Sequence, residues 1–524
     1  VLLQPEAAIH ERAINWLAST GIIVAGSNKW TFIHQTFFDY CFAREFVEQG
    51  GDLVEQIVHS DQGLFIRPLL IQVITYMRGT NPAQYLKDLT ALFSTGDIRF
   101  HLNDLLLRWF GSVSNPTEDE WLVARRMLLN LVTKGRVLQS MFGNPGWFVW
   151  LKKSFLPNWL INEETINDTL LYYLVSIGEI NTTQLGVIEL LKPYVGKNEE
   201  WDKRLTNIVS QIQHWHSADA VEFFEQVICR IPEIKKHDIY QIGLLAKAFP
   251  IPGARLLRFV LDLVLRQYQD KLRAWKESEQ NASRLFGPTI YGELNLIENH
   301  NLEEAFQIVS NAEPKHYLEE LLPWLVIVLA QQEIPEQPSP YYFLWDQLSG
   351  NWYNDHHGVE RSYIFGLISA LVDVAKTDTR YFDSIVTHLT QSPFRTPQLI
   401  LAHVFKALAD THASQALQFI LADRRRLELG EVDDYDSRNM IQTIYPYLTD
   451  EERSILEGYI LQPPLIHKNR GLEGLKWRGI EQLHLLQSIP RENLSIKALR
   501  RLAEWERKFP GSKPDNDPVT VRGG

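Results

Sequence analysis

A chain of 524 residues is longer than one hydrophobic core sustains, so it divides into domains or extends as a repeat array. Hydrophobic residues make up 45% and charged residues 22%, which excludes wholesale disorder. The 52 basic against 64 acidic side chains leave a net charge of −12, and an acidic chain repels phosphate backbones, so nucleic acid is not an expected partner.

The chain opens Val1-Leu2-Leu3-Gln4-Pro5, with neither a basic, apolar leader nor an initiator Met. A cytoplasmic piece of a longer protein is expected. The most apolar stretch, residues 321–330, is far too short to span a bilayer, and no membrane partner is expected. Cys41 and Cys229 lie in apolar helical stretches and read as buried free thiols; two isolated cysteines exclude a Cys-rich zinc site.

In chain order, residues 6–19 predict a helix that buries Ile9, Ala13, Trp16 and Leu17, with Gly21 as its stop. Residues 22–24 and 30–33 predict two short strands that form a wing around Ala25-Gly26-Ser27-Asn28. The second strand hands over to a helix carrying Phe38, Phe42 and Phe46 on one face.

Phe32, His34, Thr36, Phe37, Tyr40 and Ala43 fall in this handover. It resembles the closing motif of the winged-helix domain of NACHT, or STAND-type, nucleotide switches, roughly Phe-x-His-x-Ser/Thr-Phe-x-Glu-Tyr/Phe-x-x-Ala. Asp39 replaces the usual Glu, and Phe38 and Phe42 stand where polar or small residues are commoner. The resemblance covers about the first fifty residues. It implies that His34 is cofactor-binding, contacting the β-phosphate of ADP in the inactive state. An imidazole can donate to an anionic oxygen and can carry charge near neutral pH. The residues alone leave another reading open, with His34 a structural residue bonded to a nearby carbonyl. The resemblance further implies an ATPase core on the N-terminal side, ADP or ATP as its cofactor, nucleotide exchange on ligand capture, and oligomerisation. Defence signalling, for instance against phage, is a common role of such receptors.

The ATPase itself is not expected in this chain. A P-loop needs Gly-x-x-x-x-Gly-Lys-Ser/Thr to cradle phosphate, but Gly196-Lys197 precedes Asn198, and Gly135 precedes Arg136. The fragment alone is expected to bind no cofactor and to catalyse nothing.

Residues 51–510 predict a helical array. Thr117 and Glu120 form a capping box, and a helix follows through Trp121, Leu122 and Met127 to Leu131. Leu257, Leu261, Val264 and Tyr268 share one helix face, as do Ile364, Leu367, Ile368, Leu371 and Val372. Short breakers at 79–82, 114–116, 249–253 and 392–393 favour antiparallel neighbours. No strict repeat period is present, but small-residue starts recur at Ala220, Ala305 and Ala416, each before an apolar run. Residues 277–301, 331–358 and 461–479 read as inter-repeat loops, and 511–524 as a flexible tail or linker.

Tyr341, Tyr342, Trp345, Trp352 and Tyr353 form an aromatic loop that either anchors a partner or fills a seam between repeats. Asp355-His356-His357-Gly358-Val359-Glu360 reads as a polar helix start rather than a metal site, and His214-Trp215-His216 likewise. Arg424, Arg425 and Arg426 read as a solvated helix end, neutralised by Glu431, Asp433, Asp434 and Asp436.

The expected fold is all-α: a small winged-helix portion over residues 1–50, then an irregular α-solenoid of HEAT- or TPR-like helix pairs over 51–510. The expected function is the regulatory, ligand-sensing region of a NACHT/STAND signalling ATPase, with a protein ligand on the repeats. The alternative is a non-enzymatic HEAT-like scaffold with no nucleotide link. A helical enzyme, the third class, has no paired catalytic residues in its favour.

Overall fold

Short polar residues set where the helices start, because a side-chain oxygen satisfies an orphan N–H of the first turn. The computed structural model describes residues 2–3, 10–26, 29–64, 66–162, 166–230, 236–277, 287–297, 299–336, 339, 342–348, 358–430, 434–463 and 479–513. The fold is all-α apart from one small sheet. The chain forms two compact units, Val1–His216 and Ser217–Gly524, so a unit boundary falls inside the segment expected as one array.

The first unit begins with β1 (Leu2–Leu3), α1 (Glu11–Ser19), β2 (Ile23–Ala25), β3 (Lys29–Phe32) and α2 (Gln35–Glu48). Gly21, at φ 72°, ends α1 in the left-handed region that glycine tolerates. The sheet is antiparallel with strand order β1-β3-β2, so the two expected strands pair and a third joins them. Ile14 and Ile23 form the local core, with Leu17, Trp30 and Phe32 packed against them. The expected inner face of α1 is corrected here: Ala13 and Trp16 are exposed and Ile14 points inward, because the sheet lies on that side. Ile9 lies outside the described residues.

Helices follow as α3 (Leu53–Val58), α4 (Ile66–Thr80), α5 (Pro82–Ser94), α6 (Phe100–Gly111) and α7 (Glu118–Leu129). Then come α8 (Lys134–Ser140), α9 (Pro145–Ser154), α10 (Leu156–Ile161), α11 (Asp168–Gly178), α12 (Asn181–Leu191) and α13 (Glu199–Gln211). Asp52, Asn81, Thr117, Asn144, Asn167 and Asn198 each accept a first-turn N–H. Pro82 and Pro145 sit in the first turn, where no N–H is missed. The Thr117–Glu120 capping box is formed as read from the sequence. Trp147 is fully buried on Phe110 at 4.9 Å, and its Nε1 donates to the Phe110 carbonyl at 3.2 Å.

The second unit contains α14 (Ala218–Ile228), α15 (Lys236–Ala248), α16 (Pro250–Glu277), α17 (Ile290–Leu296), α18 (His300–Ala312) and α19 (Pro314–Ala330). It continues with α20 (Val359–Thr377), α21 (Thr379–Thr390), α22 (Arg395–Ala407), α23 (Ala409–Ala422), α24 (Tyr435–Ile444), α25 (Asp450–Ile460), α26 (Ile480–Gln487) and α27 (Ile496–Lys508). The expected loop at 277–301 is corrected: it contains α17, capped by Thr289. Ala220, Ala305 and Ala416 are fully buried, as the recurring small-residue starts predict. The face through Ile364, Leu367, Ile368 and Leu371 is buried, and Val372 is half-buried. Tyr317 Oη donates to the Tyr363 carbonyl at 3.2 Å, and Tyr363 Oη donates to the Leu321 carbonyl at 3.1 Å, which locks α19 to α20.

Within each unit, a helix finds its main partners one to three helices away along the chain. No described helix is long and apolar enough to cross a membrane.

Candidate functional site

The wing strand β3 ends at Phe32, and two residues later α2 begins. His34 is the N-cap of α2, with extended backbone at φ −109° and ψ 128°. Its carbonyl accepts the Phe37 N–H at 3.1 Å. Its imidazole is exposed, has the Phe37 ring 6.4 Å away, and makes no hydrogen bond among the described residues. No acidic side chain occupies the first turn of α2. An exposed imidazole at the positive end of a helix can donate to an anionic oxygen.

Beside it lies a cavity of about 400 Å³, lined by Ile14, Leu17, Ile23, Trp30, Thr31, Phe32, Gln35 and Phe38. The other motif positions divide by role. Phe32 packs on the core of the wing, and Ala43 is fully buried. Asp39 is buried and accepts Gln35 Nε2 at 2.8 Å. Phe38, Phe42 and Phe46 form a half-buried ladder with ring separations of 6.2 and 5.9 Å. Thr36, Phe37 and Tyr40 are exposed, and Tyr40 meets Tyr76 of α4 edge-on at 5.9 Å. Helix α2 packs along α4. The helix that His34 caps is thus built directly against the first long helix behind it.

Phe343 and Leu348 are buried, whereas Tyr342 and Trp345 are 57% and 58% exposed. Tyr341, Trp352 and Tyr353 lie outside the described residues. The loop is pinned to the start of α22: Leu344 N donates to Pro393 O at 3.0 Å, and Arg395 N donates to Leu344 O at 2.9 Å. The Asp346 carboxylate accepts Thr396 N at 3.0 Å, Thr396 Oγ1 at 2.8 Å and Leu348 N at 3.0 Å. Burial pushes its carboxyl above the ordinary range, against the pull of those donors. The Arg395 guanidinium lies 3.8 Å from the Trp345 ring centre, and Arg425 stacks on Phe343 at 4.2 Å. Sequence reading missed Asp346 and Arg395, which carry no local pattern.

The arginine triplet is corrected. Arg426 is buried: Nε donates to Gln398 Oε1 at 3.0 Å, Nη1 to Phe419 O at 2.6 Å and Nη2 to Thr390 O at 2.9 Å. Burial lowers its pKa to about 10. Asp434 pairs with Arg438 at 2.7 Å and Asp436 with His403 at 3.2 Å, so these acids serve other partners; Glu431 and Asp433 lie outside the described residues. Cys41 and Cys229 are also corrected, since both are exposed.

His214 and His216 are tethers: Nδ1 of His214 lies 3.1 Å from Glu179 Oε2, and Nε2 of His216 lies 3.0 Å from the Glu179 carbonyl. Asp355, His356 and His357 lie outside the described residues. Among the described residues no group of His, Cys, Asp and Glu side chains could hold a metal. A comparison with known family models and with curated proteins finds no match.

Proposed function

We propose that the chain is the regulatory, ligand-sensing part of a nucleotide switch of the STAND/NACHT type. Residues 1–50 then close a winged-helix domain, and the helical units behind it capture a protein ligand. The observation that carries this reading is the position of His34: an exposed imidazole, at the N-cap of a helix, where a wing strand ends. In the closed switch His34 would hold the β-phosphate of ADP by donating to it, the nucleotide being bound by a P-loop core on the N-terminal side. The packing of α2 on α4 supports a mechanical link. A change in the array that moves α4 would reach α2 and His34 through this packing, and would favour nucleotide exchange and oligomerisation. The exposed rings of Tyr342 and Trp345 offer part of the ligand surface. A role in defence signalling follows by family analogy.

The reading frame upstream of Val1 must encode a P-loop and a Walker B strand. Calorimetry then compares ADP binding to the chain alone and to the protein containing that core. Negligible binding by the chain, with tight binding by the longer protein that His34→Ala weakens, is the expected result. Tight ATP binding and steady hydrolysis by the chain alone, or the lack of an upstream P-loop, overturns the reading.

A further inference from the structure

In this acidic chain, residues 121–162 contain no Asp or Glu but hold Arg125, Arg126, Lys134, Arg136, Lys152 and Lys153. The segment folds as α7 to α10. An aromatic cluster holds it together: Trp121 stacks on Trp150 at 5.9 Å and meets Phe155 at 5.6 Å, and Phe155 meets Trp159 at 5.0 Å. Lys152 pairs with Glu189, and Arg136 reaches Asp104 at 3.7 Å. Arg125, Arg126, Lys134 and Lys153 have no carboxylate partner among the described residues.

The turn between α7 and α8 is the most exposed apolar feature of this segment. Leu131 is 90% and Val132 86% exposed, and Leu129 before them is 65% exposed. The turn is not frayed. Asn130 Oδ1 accepts Val132 N at 2.9 Å, and Thr133 Oγ1 donates to Met127 O at 2.6 Å. Lys134 follows directly and lies 4.1 Å over the Trp159 ring. On α7, Leu122, Arg125, Arg126 and Leu129 are all exposed, and their spacing puts them on one face. Aliphatic and cationic side chains therefore share a surface that is flanked by the exposed Glu118 and Asp119 at the start of α7 and ends in a strongly exposed apolar turn.

We propose that this surface, centred on Leu131 and Val132, is a peripheral contact for a bilayer with anionic headgroups. A bilayer interface accepts an exposed aliphatic turn without a shaped pocket, and the cations beside it attract anionic lipid. A protein partner has to bring a concave pocket matched to the turn. A single-stranded nucleic acid calls for exposed rings to stack on, and Trp121, Trp147 and Trp159 are buried. Peripheral contact needs no spanning helix. The proposal departs from the expectation of no membrane partner, which rested on the lack of a span, and it does not depend on the nucleotide reading.

The test is co-sedimentation of the chain with phosphatidylcholine vesicles, with and without phosphatidylserine, at low and high salt. Binding is expected only with phosphatidylserine and is expected to weaken as salt rises. Arg125→Glu with Arg126→Glu, and Leu131→Asp with Val132→Asp, are each expected to weaken it by about tenfold or more. Circular dichroism checks the fold, and the milder Leu131→Ser with Val132→Ser serves if the aspartates disturb it. No sedimentation with phosphatidylserine vesicles at low salt overturns the proposal. So does binding that neither variant weakens, or a preference for an acidic glutamate–leucine peptide or an oligonucleotide over the vesicles.

Discussion

Arg78 and Glu120, 42 residues apart, are joined by two hydrogen bonds of 2.6 and 3.1 Å to a carboxylate that is almost fully buried. Glu120 also accepts Tyr85 Oη at 2.7 Å and the Thr117 N–H at 2.8 Å, so one side chain caps α7 and ties it to α4 and α5. Removing Arg78 strands a buried charge, and Arg78→Ala is expected to cost about 2–3 kcal/mol in a denaturant titration of the first unit. Burial alone pushes the Glu120 carboxyl up, but Arg78, Thr117 and Tyr85 together hold it below its ordinary 4.5. A depressed carboxylate contributes stability that is fully present above the unfolded value and is lost as pH falls through the folded one. Acid destabilisation below about pH 4.5 should therefore be shallower in Glu120→Gln than in the unaltered chain.

Gly111 closes α6 against α8. A Cβ there would stand 2.1 Å from the Ser140 carbonyl oxygen, a backbone atom that cannot swing aside. Gly111→Ala is expected to lower stability by about 1–3 kcal/mol, despite the better helix propensity of alanine. Thermal unfolding of the two proteins side by side measures it, and an alanine variant as stable as the original contradicts the packing.

Arg426 is bonded to Gln398, Phe419 and Thr390 and lies 4.2 Å over the Phe419 ring. Arg426→Ala takes this donor from Gln398 Oε1 and the Phe419 carbonyl and leaves the Thr390 carbonyl only the 3.4 Å bond from Gln398 Nε2, at an expected cost of about 3 kcal/mol. Arg426→Lys is expected to recover little, since a single ammonium cannot reach acceptors set around a planar fork. A lysine variant with full stability would show that charge alone matters there.

His34→Ala separates structure from switching. Because the imidazole is exposed and makes no hydrogen bond among the described residues, the melting temperature should be nearly unchanged. In the protein that includes the ATPase core, loss of one charge-assisted bond to phosphate favours the open state by about ten- to a hundredfold. Ligand-free oligomer, measured by light scattering, should rise accordingly. Lower stability with no gain in oligomer would remove His34 from the nucleotide site.

Features that a residue's chain neighbours control were legible in the sequence. Thr117 and Glu120 sit three apart and make their capping box with only local backbone, and Gly21 takes its positive φ from the turn it closes. The faces through Leu257 and Leu261, and through Ile364 and Leu371, are broad enough to specify burial whatever packs on them. The strand-to-helix step around His34 is equally local. What depends on a distant partner was not legible. Helix α1 is short, and the sheet selects Ile14 over Trp16 as its inward residue. Strand β1 is two residues long and acquires its identity only by pairing with β3. Arg425 and Arg426 are adjacent, yet one meets Asp423 at 2.7 Å and the other is sunk among carbonyls from α21 and α23. Composition cannot tell them apart, because the cost of burying a charge is met by acceptors that only the folded chain brings within reach.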